Sequence, residues 1–139
     1  MSPHKDKNAN TNTKFNAVSS TLFKIAALIN AKYGHDHIHS ALATIAETPD
    51  LLIGKYGAWY TWHYIDAMFA VVACLNYQWS QQPPHGPRTL PEKLIFAILV
   101  LMSVAGGYKY FLLGAYQPLI PLWGATGFMV GGLVVSVIK

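Results

Sequence analysis

Two residues in this chain draw attention by where they sit. Asp66 is the one acid between Asp50 and Glu92, in a stretch rich in Trp, Tyr, Ala and Val, and Lys109 interrupts an otherwise uncharged run from Leu94 to Ile138. A carboxylate placed in hydrocarbon is costly and marks a functional position by default. Asp66 and Lys109 are therefore read together as an intramembrane polar pair. The plainer alternative has Lys109 extending its amine to the headgroups, with Asp66 protonated or hydrogen-bonded by Tyr60 or Trp62.

His63 precedes Asp66 by three positions and shares its helix face, so the carboxylate can orient the imidazole or favour its charged form. That arrangement suits a proton relay, a quinone contact or a haem ligand. A membrane haem of the b type needs a second axial ligand, and no histidine follows His85 in the chain. An interfacial hydrogen-bonding histidine is the simpler expectation. The segment His35-Asp36-His37-Ile38-His39 is the other dense cluster. On a helix His35 and His39 stand at i, i+4, a spacing that can ligate one metal ion, with Asp36 as a third ligand. Directly after Gly34 the same residues also read as a solvated turn, or as a pH-sensitive patch.

The elements that must hold these residues follow from apolar spacing. Residues 1–13 are rich in Asn, Lys and Thr, carry no large apolar side chain except Met1, and read as a flexible polar tail. From Phe15 the apolar positions Val18, Leu22, Ile25, Ile29 and Tyr33 recur every three or four residues, which predicts an amphipathic helix ending at Gly34. A shorter helical stretch, Ile38 to Ala46, follows, and Thr48 with Pro49 opens the next helix. Residues 14–57 thus form an amphipathic, interfacial segment.

Residues 58–139 read as a transmembrane domain of three helices, at about 58–79, 93–113 and 118–138. In the first, aromatic groups at Trp59, Tyr60 and Trp62 and at Tyr77 and Trp79 are spaced to sit at opposite interfaces. The loop SQQPPHGPRTLPEK, with four prolines, cannot be helical throughout, and Thr89 or Leu90 caps the second span with Pro91 and Glu92 in its first turn. The short connection through Gly114 and Pro118 makes the third span return antiparallel beside the second. Ser103 and Gly107 in one span, and Gly124, Gly127 and Gly131 in the other, are small-residue positions that permit close helix contact, within the chain or between copies. The lone Cys74 reads as a buried small hydrophobe.

Composition supports this fold class, an all-α integral membrane protein with three transmembrane helices behind an amphipathic N-terminal segment. Only 12% of the 139 residues are charged while 53% are hydrophobic, against roughly 25% charged in ordinary soluble domains. One cysteine excludes an internal disulfide and a multi-cysteine zinc site. The net charge of +4 is spread along the chain rather than clustered, which suits attraction to anionic headgroups better than nucleic-acid binding. Basic residues near the span ends leave the membrane orientation open.

No phosphate loop, Ser/His/Asp arrangement, HExxH or paired-carboxylate motif occurs, so no catalytic residue, cofactor or soluble substrate is expected and the chain reads as non-enzymatic. Its expected partners are the bilayer and further subunits, as a homo-oligomer or within a membrane complex. Three roles fit. The foremost is a structural or pore-forming subunit of an oligomeric assembly, as in a phage holin or a membrane protein of a virion or secretion assembly, placed in a bacterial inner membrane or a viral membrane. The others are an accessory subunit of a redox complex bordering quinone or haem, and a small proton or ion transport component.

Overall fold

A computed structural model describes residues 6–47, 52–81 and 83–138. Every regular element among them is helical. Helix α1 (Asp6–Ile29), a π turn (Asn30–Gly34) and α2 (His35–Glu47) run on as one rod, followed by α3 (Leu52–Trp79), α4 (Leu90–Leu112), a second π turn (Ile120–Gly124) and α5 (Ala125–Val137).

The rod differs from the sequence expectation in two ways. Residues 6–13, expected as flexible tail, already belong to α1. Once the Phe15–Tyr33 stretch nucleates a helix, each added residue gains a hydrogen bond, and Asp6 sits at the end where the dipole favours a negative charge. Gly34 does not cap a helix either. It is buried within the π turn and the chain continues directly into α2. The expected helix start at Thr48 and Pro49 lies outside the described residues.

Nor does α1 stand apart from the bundle as an interfacial helix. It packs lengthwise between α3 and α5 and supplies the centre of the core, with Phe23 and Ala26 fully buried among Trp79, Phe96 and Met129. Its apolar stripe is matched to these helices by small residues. Ser19 Oγ donates to the Gly132 carbonyl at 2.6 Å, and a Cβ on Gly132 would lie 2.9 Å from the Phe23 ring. Those contacts, with Asn30 beside Ala125, make α1 and α5 antiparallel. Ser20 Oγ donates to the Ser80 carbonyl at 2.8 Å, while farther along Gly34 meets Phe69. Helices α1 and α3 are therefore antiparallel too, and locked in register at both ends.

Trp79 is a core residue rather than an interfacial one. Only 3% of its surface is exposed, its ring lies 6.1 Å from Phe23 and 5.8 Å from Phe96, and its indole N–H donates to Glu92 at 3.3 Å. The Pro-rich loop folds back over the end of α3 and closes that layer. Thr89 then caps α4 as the sequence requires. Glu92 donates its N–H to Thr89 Oγ1, and the Glu92 carboxylate accepts from the Thr89 and Arg88 N–H groups at 2.8 and 2.9 Å.

The fold places α4 on the outside. Helices α4 and α5 touch directly over a short stretch, with Leu99 and Ser103 across a narrow cavity from Ala125 and Met129, and the expected side-by-side pairing of the last two helices is made mainly at the Ile120–Gly124 turn. There a Cβ on Gly107 would overlap the Trp123 indole. Pro121 stands in the first turn of this stretch, where its missing N–H costs no helix bond. Two helical stretches, Leu90–Leu112 and Ile120–Val137, are long and apolar enough to cross a membrane. Helix α3 has the length, with 28 residues, but its first half carries Tyr60, Thr61, His63, Tyr64 and Asp66 and is less apolar.

Candidate functional site: a polar groove between the rod and α3

Asp66 faces the rod. Both of its carboxylate oxygens lie close to His35 Nδ1, at 3.3 and 3.4 Å. Against an ionised carboxylate the proton belongs on Nδ1, which leaves Nε2 as an acceptor while the ring is neutral. The π turn is what brings His35 there. Five steps of an ordinary α-helix would set His35 about 140° around from the buried Asn30. A π turn, with roughly one more residue per turn, cuts that angle to about 40–50°. Asn30 itself turns its side-chain amide back to the Ala26 carbonyl at 3.0 Å, a bond that competes with regular helix geometry.

His35 and Asp66 stand at the mouth of a groove of about 450 Å³. Asn30 and His63 add polar groups to its lining, and Ala67, Phe69, Ala70 and Ala73 add apolar ones. His63 packs edge-on against Trp59, centroid to centroid 4.0 Å, and lines the same groove. His39 lies one turn after His35, rings 4.3 Å apart. Asp36 is engaged elsewhere: it meets Lys32 Nζ at 3.4 Å, across one turn of the rod's outer side.

These contacts alter several expectations. Among the described residues no ion pair joins Asp66 to Lys109; the two lie at similar height, but Asp66 turns to α2 whereas Lys109 projects from the exposed side of α4. The proposed metal set of His35, Asp36 and His39 does not assemble either, since helix geometry carries Asp36 about 100° around from His35. Among the described residues no three His, Cys, Asp or Glu side chains gather as a metal ion requires. The small-residue positions divide. Ser103 lines a narrow cavity with Asn30, Phe69 and Met129, Gly107 is filled by Trp123, Gly131 is in ordinary contact with Leu22, and Gly124 and Gly127 face open space. Cys74 is exposed, because it lies on the groove side of α3, away from the Trp79 core.

Sequence reasoning missed two features. One is the Lys32–Asp36 pair, which i, i+4 spacing could have revealed had the helix been carried through Gly34. The other is the loop. His85 is 6% exposed and its Nδ1 has no partner. Burial, then the nearby charges of Arg88 and Lys24, hold its pKa below the ordinary value. Beside it Gln78, Gln81, Arg88 and Glu92 border a cavity of about 230 Å³. A loop histidine gives no periodic signal, so its burial is a tertiary fact.

Set against known protein families, curated proteins and solved structures, the chain matches none. Its function must be argued from its own geometry.

Proposed function

We propose that this chain is a small, non-enzymatic integral membrane protein that acts as a structural or pore-forming subunit of an oligomeric assembly, with α3, α4 and α5 crossing the bilayer. One observation carries the reading. Between Lys93 and Lys109 the outer side of α4 is apolar and uncovered: Leu94, Ile98, Leu101 and Met102 are each more than half exposed. An apolar surface of that length belongs against lipid or a partner. Assembly is favoured by Gly127, which has no neighbour within 4 Å and so leaves a notch for a second helix. Holin-like proteins and membrane proteins of virions or secretion machines exemplify the class, in a bacterial inner membrane or a viral membrane.

The test is direct. The expressed chain should resist extraction from membranes by alkaline carbonate and migrate in mild detergent as an oligomer. Gly127→Leu should shrink that oligomer while leaving helicity unchanged. Release by carbonate alone, or a monomer at every detergent concentration, would refute the proposal.

A second reading draws on the groove. Polar His35, Asp66 and His63 beside apolar side chains in one groove suit the head of a quinone-like amphiphile, which would make the chain an accessory subunit of a redox complex. A bound quinone or a haem Soret band in the purified protein would move this reading ahead. Proton or ion transport through Asp66 and Lys109 loses support, since Asp66 meets His35 instead.

A further inference from the structure

The groove between the rod and α3 has an order along its length. On α3 its lining begins at His63 and Asp66 and ends at Ala73 and Cys74, about 16 Å away at 1.5 Å per residue. His35 is level with Asp66. Three ionisable side chains therefore gather at one end, and small side chains occupy the other. Asn30, 5% exposed, lines the rod's side farther in, with its amide nitrogen engaged by the Ala26 carbonyl.

The groove opens sideways. Ala31, Ala67, Ala70 and Cys74 line it and are exposed, and an alanine side chain ends at Cβ, so a flat ring or a chain can enter between the rod and α3. Asn30 shares a second cavity with Ser103, near the middle of α4, and His35 is about 7 Å farther along the rod. With α4 across a hydrocarbon slab about 30 Å thick, the ionisable end lies inside the slab and an amphiphile reaches it from the lipid.

The chemistry of that end selects the head. Among the described residues no Lys or Arg lines the groove, and the Asp66 carboxylate repels an anionic head. A cationic head would have to draw Asp66 away from His35, a contact that joins the rod to α3. A neutral head meets neither obstacle. Asp66 holds the proton of a neutral His35 on Nδ1, so Nε2 accepts, and 51% of that side chain is exposed. His63 carries at least one N–H in either tautomer and can donate. A hydroxyl uses both groups, donating to one imidazole and accepting from the other, whereas a carbonyl or an ether uses only the second. A phenol is a stronger donor than an aliphatic alcohol, and its ring finds an aromatic neighbour in Phe69.

We propose that the groove binds a neutral amphiphile whose hydroxyl head, of the phenol or hydroquinone type, donates to His35 Nε2 and accepts from His63. This rests on the second reading above and specifies the form of the head, reduced rather than oxidised.

Equilibrium dialysis of the full chain in dodecyl maltoside against protein-free micelles tests it, at about pH 8, above the ordinary histidine range. The probes are para-heptylphenol, its methyl ether and heptylamine. The phenol should bind saturably and more than about tenfold tighter than the ether, as one well-made hydrogen bond allows. His35→Ala should bring the phenol down to the affinity of the ether and leave the ether unchanged. Ala70→Leu, which fills the groove from an exposed position, should abolish binding of both while preserving helicity. Equal affinities for phenol and ether, or a preference that survives His35→Ala, would overturn the proposal and leave the groove as an amphiphile site. Tighter binding of heptylamine than of the phenol would overturn it in favour of a cationic head. No saturable binding of any probe, or binding that Ala70→Leu does not weaken, would remove the second reading together with the proposal.

Discussion

His85 sits in surroundings that disfavour its charged form. It is buried in the loop, its Nδ1 is unpartnered, and Lys24 and Arg88 oppose a positive charge on it. Burial and these charges favour the neutral ring, and outweigh the Trp79 and Asn16 carbonyls, which favour the charged one. Stability is then complete above the ordinary histidine pKa of 6.5 and falls as the pH drops below it, because the unfolded chain takes up the proton first. The thermal midpoint in detergent should decline from about pH 7 to about pH 5, and the decline should be shallower in His85→Gln. Equal slopes in both proteins would mean that other groups control the acid response. Asp66 illustrates a different limit at this scale. Its position in an apolar segment singles it out in the sequence, but its partner is His35, on a helix whose rotation depends on a π turn with no clear sequence signal.

At the scale of helices, close approach decides which glycines matter. A Cβ on Gly34 would sit 2.7 Å from the Phe69 ring, whereas one on Gly127 would meet nothing within 4 Å. Gly34→Ala should therefore cost about 1–3 kcal/mol through overpacking. Gly127→Ala should be neutral or stabilise by up to about 1 kcal/mol, through reduced freedom of the unfolded chain. Detergent-driven unfolding of the two variants measures the contrast, and a larger loss at Gly127 would contradict the packing. In the sequence Gly34 reads as a helix end and Gly127 as a small packing position, and neither reading reports how much space surrounds the residue. The capping of α4 needed no such context: Thr89, Pro91 and Glu92 hold their signal within one turn, and the helix starts where they place it.

For the whole molecule, the unexpected element is the rod. Phe23 and Ala26 are fully buried only inside the bundle, where α1 packs against both α3 and α5. Removing residues 1–13 should leave the fold intact, since that part of α1 extends past the Ser20–Ser80 level. Removing residues 1–34 should abolish it, because Trp79, Phe96 and Met129 lose the side chains they surround. Limited proteolysis and monodispersity in detergent distinguish these outcomes; a well-behaved 35–139 fragment would show that α1 is dispensable.

The sequence by itself determined the helical class, the uncharged stretches that became α4 and α5, the non-helical proline loop and the cap at Thr89, all of which depend on neighbours within about one or two helical turns. Only the tertiary structure decided that α1 is central, that Trp79 is a core residue, that Asp66 meets His35 and that His85 is buried. The reason is geometric. An amphipathic period says that a helix has one apolar side, and it says the same whether that side meets lipid headgroups or two other helices. The choice rests on matching surfaces far apart in the chain, such as Ser19 against Gly132 and Gly34 against Phe69, and on a π turn that resets the rod's facing by a fraction of a turn.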